Sequence, residues 1–386
     1  MRKTMQNRRR PGVKSICFLF ISSLLFSGNN FAQSKEEMEN RKFAVSDSLF
    51  NASLKACLHP VESQKPETWL NRFRVLSNIM DDPNLVASHA QNDLPTETAN
   101  ALLMLKALDG NQIYRHFTEP GLAGICIDLG NSGIHSLENA RLYDSEEDAK
   151  KAASLLEKAM ECYKLTGDSR VVVDKEWGKH ALDPDWFRFF IGVAYRKAGD
   201  KTRAAQEYNY LLEKEWPQSF LYLEAANLSD SVGLVPEAIE ILEKGFKRIP
   251  GSIEIGCALV QINLKADKVK EARAWLRKVE AFPQSRFHPD YAYAQGAYFE
   301  KRGDFKTADA CYQIPYQADP NEVSGIRKYA AFLIRNAGKT EGQSPEQQAA
   351  RAYKMLLHAK ELSPENAKID QELERILSRY PGAGKS

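Results

Sequence analysis

A spacing of 34 residues runs through the second half of this 386-residue chain. Gly192, Tyr195, Gly199, Ala204 and Tyr208 set the pattern, and Ala226, Gly233, Ala238, Leu242 and Pro250 occupy the same slots one period later. A further period gives Val260, Ala272 and Leu276, and a slightly longer step gives Gly296, Gly303, Ala308, Tyr312 and Pro320. A unit this short cannot enclose a core of its own, so its copies must stack and share one. That single constraint removes most compact folds from consideration.

The slots have a physical reading as two helices and a turn. Gly192, Ala226 and Gly296 are small where one helix backbone must approach the next. Ala204, Ala238, Ala272 and Ala308 are small for the same reason on the second helix. Gly199, Gly233 and Gly303 fall between the helices, where a left-handed backbone is needed. Pro250 and Pro320 end the second helix and open the next unit. In these residues the chain resembles the tetratricopeptide repeat, well over about Asp185–Glu365. The resemblance implies an all-α fold: a right-handed α–α superhelix, a solenoid of antiparallel helix pairs. Asp267 stands where glycine is expected in one unit.

Spacing of the second-helix small residue also places the irregularities. Ala152, Ala204, Ala238, Ala272, Ala308 and Ala352 lie 52, 34, 34, 36 and 44 residues apart. The two long intervals predict insertions at 168–184 and 338–346, the first a loop or short strand because of its β-branched run. Repeats are therefore expected over 133–365, the earliest carrying Ala140, Tyr143, Ala152, Leu156 and Ala159, with Glu147 in its glycine slot. Residues 366–380 read as a charged amphipathic helix capping the open end, followed by a frayed tail to 386. Residues 33–132 lack the spacing yet show helical periodicity in Glu36–Leu58, Glu67–Met80 and Thr96–Leu108. They are either degenerate repeats or a small bundle. Gly121–Gly133 reads as a short helix or a buried strand-like piece.

The first 32 residues carry six cations and no carboxylate ahead of an apolar run from Ile16 to Phe26. This reads as a secretory signal ending at Ala32, too short to span a bilayer comfortably. The expectation is export across an inner membrane to a periplasmic or envelope-associated location, with no stable membrane insertion afterwards. Without the leader's six cations the chain has 47 basic residues against 51 acidic ones, a net charge of −4. Such a balance gives no reason to seek nucleic acid. Cys57, Cys126, Cys162, Cys257 and Cys311 remain, an odd number with no C-x-x-C pair, and read as small buried hydrophobes.

Motifs that carry chemistry are scarce. There is no H-E-x-x-H, G-x-S-x-G or phosphate-binding glycine loop. Gly167-Asp168-Ser169 reads as an ordinary turn, and Asp144, Glu146, Glu147 and Asp148 as acidic residues favoured at a helix N-terminus. No cofactor and no metal is expected. Asp47-Ser48-Leu49 and Asp230-Ser231-Val232 resemble short O-glycosylation sites of some envelope proteins. The resemblance to the repeat family implies that four positions of each first helix line a concave groove. Here these are Trp186, Phe189, Val193 and Arg196, then Phe220, Leu223, Asn227 and Asp230, then Glu254, Cys257, Gln261 and Leu264, then Asp290, Tyr293, Ala297 and Glu300. The Lys and Asn of the family's carboxylate clamp are not among them. The groove runs from an aromatic end to an acidic end, unless Trp186 and Phe189 pack beneath the 168–184 insertion. The expected function is a non-enzymatic scaffold, of the kind found within envelope assembly or secretion complexes, binding a protein or peptide with an apolar anchor and a basic segment. A glycan-binding repeat protein and an enzyme with its site in 36–132 are the alternatives.

Overall fold

The computed structural model describes residues 35–339 and 342–385. The leader and the cleavage position at Ala32 lie outside the described residues. Six helix pairs follow one another: α5 (Arg115–Tyr143) with α6 (Glu146–Lys164), α8 (Pro184–Lys197) with α9 (Lys201–Glu213), α10 (Ser219–Ser231) with α11 (Val235–Arg248), α12 (Ile253–Lys265) with α13 (Val269–Glu280), α14 (Pro289–Lys301) with α15 (Phe305–Ala318), and α16 (Val323–Arg335) with α17 (Pro345–Leu362). Each first helix from α8 to α12 also packs on the next first helix. This is an all-α solenoid of antiparallel pairs. No described helix is long and apolar enough to cross a membrane.

Four of the turns close identically. Gly199, Gly233 and Gly303 have φ of 81°, 86° and 78°, and Asp267 takes the same left-handed region at 59°. The next N–H then reaches back over the helix end, from Asp200 to Tyr195 O at 2.9 Å, Leu234 to Ser229 O at 2.9 Å, Lys268 to Asn263 O at 2.8 Å and Asp304 to Phe299 O at 3.0 Å. This is the Schellman closure, in which aspartate is a tolerated substitute for glycine. In the first pair the left-handed residue is Asp144, at φ 55°, rather than Glu147. The turn therefore precedes the expected position by three residues. Ala149, fully buried, stands five residues after Asp144 as Ala204 stands after Gly199. Glu146, Glu147 and Asp148 form the first turn of α6, and Ser145 accepts the Asp148 N–H at 3.1 Å.

The 168–184 insertion is helical, not a loop or strand. A 3-10 turn at Gly167–Ser169 leads into α7 (Arg170–Gly178). Val173 and Trp177, four residues apart, are buried on one face, while Val171 and Val172 point to solvent. Trp177 stacks on Phe187 at 3.7 Å between ring centroids and on Tyr163 at 5.2 Å. Burial of that face outweighs the poor helix propensity of three consecutive valines. Glu119 holds the turn in place: its carboxylate accepts from Asp168 N at 3.2 Å, Arg115 at 3.0 Å and Lys106 at 3.2 Å. Burial pushes the Glu119 carboxyl up, but the Lys106 and Arg115 hydrogen bonds bring it below the usual range. Gly167-Asp168-Ser169 is thus a structural turn, with φ of 53° at Gly167.

Gly121–Gly133 lies wholly within α5, so a boundary at 132/133 would cut a helix. Its glycines serve close packing. A Cβ on Gly130 would lie 2.8 Å from the Phe187 ring, and one on Gly133 would lie 2.7 Å from Leu156. Before α5, α1 (Lys35–Leu58), α2 (Pro66–Met80) and α4 (Leu94–Leu108) pack in succession, with α3 (Pro83–Ser88) in the α2–α4 connection, and α4 joins α5. At the other end α18 (Ala367–Arg379) buries Ile369 and Ile376 against α17. The described part of the tail, to 385, folds back rather than fraying, for Ala383 is 2% exposed. All five described cysteines are buried thiols, and burial raises each of their pKa values.

Candidate functional site

The first helices of the solenoid surround one chamber of ≈ 580 Å³. That lies within the range of ligand pockets, about 300–1,000 Å³. Eleven of the sixteen groove slots line it: Trp186, Phe189, Val193 and Arg196 from α8, Phe220, Leu223 and Asn227 from α10, Glu254, Cys257 and Gln261 from α12, and Asp290 from α14. Tyr293 and Glu300 do not. Tyr293 is 5% exposed and packs on Tyr312, while Glu300 is held by Arg335 at 3.1 Å and Asn336 at 2.7 Å. Of the other slots off the chamber, Leu264 belongs to the core, Ala297 packs against it, and Asp230 pairs with Lys265 at 2.5 Å.

One half of the chamber is aromatic. Trp186 is the hub, with Trp216 at 4.9 Å, Phe190 at 5.7 Å, Phe189 at 6.0 Å and Phe220 at 6.5 Å between centroids. The alternative packing of Trp186 and Phe189 beneath the insertion is not what occurs; Phe187 fills that role. Phe189 is buried, Trp186 half-buried, and Phe220 is 54% exposed. Phe220 therefore contributes little to the core and keeps about half of its surface open on the chamber wall.

The other half is charged, with both signs present. Glu254 and Asp290 flank His288, whose ring nitrogens lie 3.5 Å and 3.9 Å from their carboxylates. Burial pushes the Glu254 carboxyl up, but its own backbone N–H, the Ser252 hydroxyl at 2.9 Å and His288 bring it below the ordinary range. Arg196 pairs with Glu224 at 2.6 Å and Lys328 faces Asp290 at 3.9 Å. Arg141, Lys197 and Lys328 also line the chamber, so its charged half is dipolar rather than acidic. The groove slots miss these cations. Lys197, like Phe190, Glu224 and Ala258, immediately follows a predicted slot, so the lining face is wider than four positions per helix. Arg141 and Lys328 come from α5 and α16, far apart in sequence, and no local signal announces their proximity.

Outside the chamber, Ser46, Asp47 and His89 come together in the N-terminal region. Ser46 Oγ and Asp47 Oδ1 both lie 3.3 Å from the same nitrogen, Nε2 of His89. A nucleophile–base–orienter chain needs the carboxylate on the opposite nitrogen, so this arrangement is not one. No group of three or more metal-ligating side chains occurs among the described residues.

Antiparallel helix pairs, closed by left-handed turns and stacked about a lined chamber, define a tetratricopeptide-like helical-repeat protein. Solved structures of similar architecture include a tetratricopeptide repeat protein from Parabacteroides merdae, 12% identical, spanning 64% of this chain and 100% of that one at a TM-score of 0.35. Yeast Tom70 is 14% identical over 89% of this chain and 86% of that one, at 0.38. MamA from Desulfovibrio magneticus RS-1 is 15% identical over 50% and 97%, at 0.31. No protein-family model and no curated relative matches the sequence. The class therefore rests on the helix pairs and their turns.

Proposed function

We propose that this chain is a non-enzymatic scaffold, exported by its leader to the periplasm, that binds a protein or peptide segment in the chamber. The observation that carries the reading is Phe220, a large aromatic held exposed on the chamber wall beside Trp186. Aromatic side chains with one face committed to the fold and the other open are efficient anchors, because little rotamer freedom remains to be lost on binding. The segment places an apolar side chain on Trp186, Phe190 and Phe220, and a basic one towards Glu254 and Asp290. Cations on α5 and α16 disfavour a second basic residue at that side, so the dipole of the wall sets the segment's direction.

Phe220→Glu tests this without unfolding the protein. A partner recovered from envelope extract by the wild type is purified and its affinity measured by calorimetry. The variant is expected to bind about 30-fold more weakly, the ~2 kcal/mol of an interface hot spot, with its melting temperature unchanged. Equal affinity for both forms removes the chamber as the binding face. Amino-terminal sequencing of the exported protein is expected to begin at Gln33, and a retained Met1 contradicts the leader assignment.

A further inference from the structure

The two ends of the solenoid touch. Ser363 Oγ, just past α17, donates to the carbonyl of Leu142 at 3.3 Å, across a sequence separation of 221 residues. Two residues further along the same turn, Asp144 carries contacts in two directions. Its Oδ1 faces Lys197 at the end of α8, at 3.4 Å. This is the ordinary contact between a turn and the next first helix, made also by Asp267 with Lys301. Its Oδ2 pairs with Lys368 of the C-terminal cap at 2.6 Å, a contact that ordinary stacking does not supply. The cap is itself fixed, because Arg327 of α16 grips Glu372 of α18 through two nitrogens at 3.0 Å and 2.7 Å. The same closure brings Leu137 and Arg141 of α5 to the chamber that Lys328 of α16 also lines.

We infer that the α5–α6 turn is a clasp: Asp144 ties the first repeat to the C-terminal cap and holds the superhelix closed around the chamber. Elsewhere in the solenoid each repeat is secured to its neighbours by extensive apolar packing. The described polar contacts joining the two ends include the Asp144–Lys368 ion pair and the Ser363 hydrogen bond, and the charge of Arg327 also acts on Asp144. Ion pairs of this half-exposed kind weaken as salt shortens the Debye length from about 10 Å at 0.1 M to about 3 Å at 1 M. The ring therefore opens at the clasp before any repeat unstacks, widening access to the aromatic wall. This does not depend on what the chamber binds.

Small-angle X-ray scattering of the full-length protein tests the clasp. Raising NaCl from 0.05 to 1 M is expected to lengthen the maximum dimension by about one helix diameter, ~10 Å. Lys368→Glu, at an exposed site, is expected to produce the same expansion at low salt with unchanged circular dichroism. Lys368→Arg, which keeps a cation facing Asp144 and leaves the Lys197 contact untouched, should retain the compact form. Lys265→Glu, which breaks the neighbouring-repeat pair with Asp230, should leave the dimensions unaltered. Constant dimensions for wild type and Lys368→Glu at every salt concentration would overturn the inference. Expansion that Lys368→Arg shares, or that Lys265→Glu reproduces, would overturn it as well.

Discussion

Replacing Gly192 with leucine should destabilise the protein by about 3 kcal/mol, the upper end of ordinary overpacking, whereas Gly124→Ala should stabilise it by ~0.5–1 kcal/mol. The contrast tests the packing directly, since both glycines lie inside helices. At Gly192 a Cβ would stand 2.6 Å from Cε1 of Tyr208, whose ring is 1% exposed and cannot swing away. The corresponding distance at Gly296, to Tyr312, is 2.8 Å, so the repeat uses the same contact twice. Gly124 has no atom within 4 Å of the position a Cβ would take, and alanine there only removes backbone freedom from the unfolded chain. Urea midpoints give both signs. Hydrogen exchange should show the Gly192→Leu loss concentrated in α8 and α9. Equal midpoints for the two variants would mean that α8 and α9 do not approach as described.

Trp177→Ala should cost ~3–5 kcal/mol, as expected for deleting a large buried aromatic, although it lies in a segment that interrupts the repeat. Its ring is 1% exposed and lies flat on Phe187, which in turn fills the space left by Gly130. Trp177→Phe should stay within about 1 kcal/mol of wild type. The indole Nε1 has no hydrogen-bond partner among the described residues, so losing that donor offsets part of the lost contact. Chemical denaturation of the two variants separates the readings: if alanine is tolerated as well as phenylalanine, α7 is an appendage and not part of the core.

These two sites also show what the sequence reveals and what it hides. The spacing of Gly192, Gly199 and Ala204 is legible because backbone proximity and a left-handed turn admit few residue types. Asp144 is harder to read, since aspartate tolerates the turn without advertising it, and the eye settles on Glu147 three residues on. The α7 segment looks unlike a helix because Val171, Val172 and Val173 have poor helix propensity; only the burial of Val173 and Trp177 on one face decides the matter. In the chamber, slots read helix by helix fall together, and Trp186, Phe220, Gln261 and Asp290 line one cavity. Tyr293 and Glu300 lie off the chamber, engaged by Tyr312, Arg335 and Asn336, partners that helical phase alone cannot reveal. Arg141 and Lys328 are visible only once the superhelix closes and its ends meet.

The central claim is that the partner sits against the aromatic half of the chamber. Site-specific photo-crosslinking tests it most directly, with a benzophenone amino acid placed at Phe220 and, in a separate variant, at Leu234 in the α10–α11 turn, itself 49% exposed. The account predicts a discrete partner adduct from position 220 and none from 234. An adduct from 234 with none from 220 would contradict it and move the binding face off the chamber.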